Sequence, residues 1–297
     1  MKKMTPFKII SDSACDLPKD LVKKYDVDVV SFYVSFDDKN YYKEQEKNTQ
    51  EFYQELVDRP NQYPKTSMPT VEEYFNVFEQ YVSQDIPVIC VCISSKISGS
   101  YQGAMLAKKD ILEKYPQAKI EVIDSYLLTA IEGMIVLELA RMRENQVSFE
   151  DAIAHVERIK HTGKIYFTIG SVDYLAHGGR IGKLKSILGT VLKIKPIIVF
   201  KNGEIDSAGM ALTRNKSLIK VIECVKQFFK KNLLKFSDYL FGIGYGYKKD
   251  EAETFAKNVE EELGIHDFFF FQIGSTVAVH TGPHPIGITF LKKYDVE

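Results

Sequence analysis

The sequence predicts an α/β protein of two domains, the first around a mostly parallel, Rossmann-like sheet and the second around a mixed sheet with helices. Three observations carry this. The chain has 297 residues, about two domains at roughly 150 residues each. Strand-like runs alternate with helical patterns through the first half, which implies right-handed crossovers and parallel strands. Beyond Ser148 the strands come closer together, and a turn signal at Asn202-Gly203 announces a hairpin. The boundary is placed near Gly163, giving domains 1–163 and 164–297.

In the first half, Phe7-Lys-Ile-Ile10 reads as a short strand, and Asp16-Leu-Pro18 as a helix start with Asp16 as N-cap. Val27 to Phe36 alternates, with Val30, Phe32, Val34 and Phe36 on one face, as a half-buried strand requires. Thr49 to Val57 is helical. Thr70-Val-Glu-Glu73 is a capping box opening a helix to about Tyr81. Val88 to Ile93 is a continuous apolar run, the mark of a buried parallel strand. Ser100 to Glu113 is a helix, Lys119 to Ile123 a strand and Leu127 to Arg143 a helix.

In the second half, Phe149 to Thr162 reads as a helix, Lys164 to Ser171 as a strand, and His177-Gly-Gly-Arg-Ile-Gly182 as a glycine-rich loop. A short helix at Leu184 to Leu192 and a strand at Pro196 to Phe200 lead to the hairpin. Helices at Asn215 to Lys231 and Asp250 to Leu263 flank a strand at Tyr239 to Tyr247. Strands are expected at Phe268 to Ile273, Thr276 to His280 and Gly287 to Leu291.

Composition narrows the function. Lys and Arg total 39 against 40 Asp and Glu, for a net charge of −1, which argues against a wide nucleic-acid footprint. The basic start lacks the apolar run of a signal peptide, and no stretch of about 18 uncharged apolar residues suits a membrane span. Cys15, Cys90, Cys92 and Cys224 are too scattered for a disulfide framework. Cys90 and Cys92 share one face of a strand, as small buried hydrophobes do. A reducing, cytoplasmic location is expected.

Ligands of parallel α/β sheets bind at the carboxyl ends of the strands. Here those ends read Ser11-Asp-Ser13, Ser94-Ser-Lys-Ile-Ser-Gly-Ser100 and Asp124-Ser125, although Ser, Asp and Gly also serve as ordinary loop residues. Gly178-Gly-Arg-Ile-Gly-Lys183 fails as a phosphate loop: its first glycine is one residue too close, and Leu184 stands where a hydroxyl is needed. Gly282 and Pro283 break the spacing of His280 and His284 as a helical metal pair, and no metal site is expected. Ser98 lacks the G-x-S-x-G elbow, but a Ser98–His280 hydrolase stays open.

Taken together, the motifs resemble those of the DegV family. Asp12-Ser-Ala-Cys-Asp-Leu-Pro18 is similar to its DSxxDLP start, Thr66-Ser-Met-Pro69 to its TSQP loop, and Ser94 to Gln102 to its SSxLSGTYQ segment. Val122-Ile-Asp-Ser125 matches VIDS, Tyr174 to Ile181 the YLxxGGRI segment, and His280-Thr-Gly-Pro283 the HxGPG segment. The order is kept over nearly the whole chain. Met68 departs from Gln, Ser100 from Thr, and Pro283-His284-Pro285 from the usual P-G-A. The family's usual Asp-Gly turn is missing from Tyr41 to Asn48.

The resemblance implies two α/β domains with one long-chain fatty acid, such as palmitate, stearate or oleate, bound between them. It implies a non-catalytic, monomeric subunit, without cofactor, that presents the carboxylate to a separate fatty acid kinase feeding phospholipid synthesis, with transient membrane contact. It makes Thr66, Ser98 and His280 the carboxylate donors and Arg180 the kinase-docking residue. A buried carboxylate needs such donors, and the N–H groups of Gly99 and Ser100 at a helix start can add to them. Ile93, Leu127, Leu128, Ile131 and Met134 are candidates for the apolar wall, though each also suits ordinary core. Two other readings stay open: the hydrolase, and a carrier of another anionic lipid with no kinase partner.

Overall fold

Three sheets organise the computed structural model, which describes residues 7–187 and 194–296. The first half contains β1 (Lys8–Asp12), α1 (Lys19–Lys24), β2 (Val27–Val30), β3 (Tyr33–Ser35), β4 (Tyr42–Lys43), α2 (Thr49–Asp58), β5 (Lys65–Ser67), α3 (Val71–Val82), β6 (Val88–Cys92), α4 (Ser100–Lys114), β7 (Ile120–Asp124), α5 (Thr129–Glu144) and α6 (Phe149–Ile159). The second contains β8 (Lys164–Thr168), α7 (Asp173–His177), β9 (Lys195–Lys201), β10 (Glu204–Ala211), α8 (Arg214–Lys231), β11 (Tyr239–Tyr245), α9 (Lys249–Leu263), β12 (Phe269–Gln272), α10 (Ser275–Thr281) and β13 (Ile286–Lys292). Among the described residues, no helix is long and apolar enough to cross a membrane.

The parallel sheet has the order β2-β1-β6-β7. Its apolar runs are buried on both faces, as parallel strands require. Ile9, Ile89, Val91 and Ile123 face α5 and α6. Ile10, Cys90, Cys92 and Val122 face α3 and α4. Cys90 and Cys92 thus share a face, as their spacing predicts, and all four thiols are free. The mixed sheet has the order β10-β9-β8-β13-β11-β12, antiparallel except for β11 beside β12. Its hairpin turns at Asn202 and Gly203, both with positive φ, the backbone that this dipeptide favours.

Helix α5 joins the two sheets. It is apolar on nearly every side and is buried from Thr129 to Ala140, the pattern of a helix with packing partners all round. Ile131, Ile135 and Leu139 share a core with strand residues Ile89, Ile165, Phe200 and Leu291. Helices α8 and α9 cover another face of the mixed sheet through Val221, Val225, Phe255 and Val259.

The structure corrects three expectations. Asp16 does not cap α1, which begins after Pro18 with no side-chain cap; Asp16 has φ 50° and turns its carboxylate inward to Thr129. Val27 to Phe36 is not one strand. The chain leaves the parallel sheet after Val30, because Phe32 N–H is taken by Ser13 Oγ at 3.0 Å, and β3 joins β4 and β5 instead. Thr276 to His280 is not a strand but lies in α10. The carboxylate of Glu44 accepts from Thr276 N–H at 2.8 Å, Thr276 Oγ1 at 2.7 Å and Ser275 Oγ at 3.1 Å. This distant side chain satisfies the helix start and overrides the strand preference of a β-branched run. The expected helix at Leu184 to Leu192 is described only to Ile187, where Gly182–Ile187 is a short 3-10 helix; its remainder lies outside the described residues.

Candidate ligand-binding site

Each parallel strand ends in a loop of small polar residues, and most of their hydroxyls are committed to the scaffold. Ser11 Oγ donates to Val91 O at 3.0 Å, Ser13 Oγ to Glu44 at 2.5 Å, Ser94 Oγ to Gly203 O at 3.0 Å and Ser125 Oγ to Leu127 O at 3.2 Å. Ser98 differs. Its Oγ accepts from Ser100 N–H at 3.2 Å, and its own O–H has no acceptor among the described residues. Thr66, paired with Val34 in β5, is likewise without a side-chain bond. Met68 brings the two loops together: a Cβ at Gly99 would lie 2.7 Å from its Sδ.

His280 arrives from the last turn of α10. Its ring rests on Gly178, where an added Cβ would stand 2.1 Å from Nδ1. The glycine-rich loop and the His-Thr-Gly-Pro segment are therefore two sides of one contact. Nδ1 is buried without a hydrogen-bond partner. Burial, and then the positive charge of Arg180, push the imidazole down to about 3, so the ring is neutral. Arg180 is exposed. It ties the loops together, donating from Nε to Ile97 O at 3.1 Å and from a terminal nitrogen to Gly178 O at 2.7 Å.

Thr66, Ser98, Arg180 and His280 line one cavity, with about 890 Å³ of atom-free space including its open mouth. The rest of the wall is mainly apolar: Phe32, Ile93, Ile97 and Leu128 from the first half, and Phe167, Phe200, Phe271 and Val277 from the second. Four other threonines reach it, but Thr129, Thr276, Thr281 and Thr289 donate to Asp16, Glu44, Val277 O and Gly242 O. The donors without partners are thus Thr66, Ser98 and a neutral imidazole, beside a guanidinium. Such a set suits one anionic head group on an apolar body.

Two predicted donors face elsewhere. The side chain of Ser100 is buried, bonded to Asp12 at 2.6 Å and Tyr74 at 2.6 Å, and its N–H serves Ser98. Gly99 is half-buried beneath Met68 and outside the cavity wall. Of the apolar candidates, Ile93 and Leu128 line the cavity, whereas Leu127, Ile131 and Met134 belong to the core. The aromatic wall from the mixed sheet was missed, because alternation marks a buried face without telling a packed face from a hollow one. The Pro283–Pro285 loop is fixed by Tyr247 N–H on Pro283 O at 2.8 Å and Gly246 N–H on Pro285 O at 3.0 Å, and Pro285 touches the cavity.

Fold and cavity together define an α/β protein of three sheets with a mainly apolar cavity that carries a few polar groups. A family model described as "Uncharacterised protein, DegV family" matches residues 6–293. The chain belongs to the DegV family. A DegV domain-containing protein of Clostridium perfringens is 33% identical over 286 residues, covering 96% of this chain and 99% of its own. A stearic-acid-binding protein from Eubacterium ventriosum is 41% identical, with a TM-score of 0.93, covering 97% of this chain and 99% of its own. A DegV family protein from Thermus thermophilus, described by its fatty acid binding, is 26% identical, with a TM-score of 0.84 and coverages of 96% and 99%.

Proposed function

We propose that this protein binds one long-chain fatty acid in the cavity, with its carboxylate held by Thr66, Ser98 and His280 and its acyl chain among the aromatic residues. The observation that carries this reading is the set of donors lining an apolar cavity that have no partner among the described residues. Each donor to a charged group contributes about 1.5–3 kcal/mol. A neutral imidazole donates without the cost of burying its own charge. The two solved relatives described as fatty-acid binders support the same ligand class.

The protein is proposed to be a non-catalytic subunit that presents the carboxylate to a separate fatty acid kinase. Arg180, exposed beside the head-group site, is the residue for docking that partner or steadying the transferred phosphoryl group. The division at 163/164 is proposed to separate the half carrying Thr66 and Ser98 from the half carrying Arg180 and His280. A hydrolase is the weaker reading. An imidazole held near 3 is far from the range of a general base, and among the described residues no carboxylate orients it. Organic extraction and mass spectrometry of protein purified from a bacterial host test the reading. About one fatty acid per chain is expected from a preformed apolar site. A lipid-free protein that also ignores added stearate sinks it.

A further inference from the structure

The acid at the end of β1 lies outside the cavity wall yet holds the loop that forms part of it. Asp12 is fully buried. Its Oδ2 accepts from Ile93 N–H at 3.0 Å and from Ser100 Oγ at 2.6 Å, and its Oδ1 accepts from Ala14 N–H at 3.2 Å. Ile93 opens the β6–α4 loop and Ser100 closes it. Ser100 then gives its N–H to Ser98 Oγ at 3.2 Å. One carboxylate therefore fixes both feet of the loop, and through Ser100 it fixes which lone pair of Ser98 is occupied. A hydroxyl anchored by a donor to one lone pair has fewer directions left for its hydrogen.

We propose that Asp12 is a positioning residue for the head-group site, acting through Ser100 to aim the Ser98 hydroxyl at the ligand. The proposal rests on Ser98 being a ligand donor, as read above. Three donors converge on two oxygens, an arrangement that a carboxylate accepts fully and an amide, with its own N–H₂, does not.

The groups electrostatically coupled to Asp12 are Glu132 of α5, Cys92 of β6, Tyr74 of α3, and Cys15 and Asp16 of the following turn. None of them is a cation. Burial raises the Asp12 carboxyl to about 6, against the opposing pull of Ser100, Ile93, Ala14 and Glu132. Acidification through that range therefore removes a charge from the clamp.

The test measures stearate and methyl stearate affinity for wild type, Ser98→Ala, Ser100→Ala, Ser100→Thr, Asp12→Asn and the Ser98→Ala/Ser100→Ala double variant. Ser100→Ala and Asp12→Asn are expected to weaken stearate about tenfold while leaving the ester within about twofold, since only the acid carries a full charge. The double variant should bind stearate no worse than Ser98→Ala alone, and Ser100→Thr, which keeps a hydroxyl, should recover the affinity. Below pH 6, wild-type stearate affinity should fall in a way that Asp12→Asn does not follow. Losses at Ser98 and Ser100 that multiply overturn the proposal, as does wild-type stearate binding by Ser100→Ala when Ser98→Ala is weakened. If Ser98→Ala itself binds stearate like wild type, the head-group reading falls, and the proposal with it. Should Asp12→Asn not fold, the Ser100 variants decide.

Discussion

The two sides of the cavity are built by different means. On the side of the first half, strand β5 of the small sheet presents Thr66 and the loop after β6 presents Ser98, each held by backbone pairing or by one bond from a neighbour. On the side of the mixed sheet, Phe167, Phe200 and Phe271 offer a broad apolar wall whose members are also part of the protein's packing. The first side can change its chemistry with little change in fold. The second cannot, since each wall residue also stabilises the structure.

The largest effect should therefore come from the wall. Phe200 is 1% exposed and packs with Ile165 and Leu291. Phe200→Ala is expected to lower stability by about 3–5 kcal/mol, and to weaken fatty acid and methyl ester alike. Denaturant unfolding and paired affinity measurements check this. A stable variant with a loss confined to the acid would break the comparison.

A smaller and more selective effect is expected at the loops. Ser98→Ala and Thr66→Ala should each cost about 1–3 kcal/mol in fatty acid binding, with the ester nearly unchanged and the unfolding midpoint close to wild type. Equal losses for acid and ester would place both hydroxyls with the wall.

The pH dependence separates the sides further. The folded state keeps His280 neutral down to about 3, whereas an unfolded histidine takes a proton near 6.5. The stability contributed by the neutral ring is complete above about 6.5 and is lost as pH falls toward 3, by at most about 1.4 kcal/mol per unit. Asp12 runs the other way: its carboxyl is raised to about 6, so its contribution is largest below about 3.8 and is lost as pH rises through 6. Melting curves from pH 4 to 7 should show His280→Gln with a flatter acid limb than wild type. Identical limbs would mean that the ring is protonated in the folded protein.

The smallest effect on binding is expected at Arg180, whose bonds run to two backbone carbonyls. Arg180→Ala should leave fatty acid affinity within about twofold but slow acyl-phosphate formation with a cognate kinase and ATP, and Arg180→Glu should slow it more through like-charge repulsion. Unchanged phosphorylation in Arg180→Glu would remove this residue from the partner surface.

The same contrast explains what the sequence revealed. The parallel sheet was legible because its central strand β6 is an unbroken apolar run between helical patterns, and the capping box at Thr70 was visible because its partner, Glu73, is three residues away. The loop residues were legible as short motifs, and the structure lines Thr66, Ser98, Arg180 and His280 along one cavity. Helix α10 was not legible. Thr276-Val-Ala-Val279 has the composition of a strand, and what makes it helical is a carboxylate 232 positions earlier. The inward turn of Ser100 was hidden for a like reason, since its partner Asp12 is 88 positions away.

The span between Glu44 and Thr276 also sets an order in time. At about 5–20 residues per second, translation delivers Thr276 roughly 10–50 s after Glu44. Throughout that interval a carboxylate waits for the helix start it will cap, while the elements between them can already pack. A helix of 7 residues is too short to hold itself together in water. The placing of His280 therefore depends on a contact between segments 232 positions apart, which local sequence cannot supply.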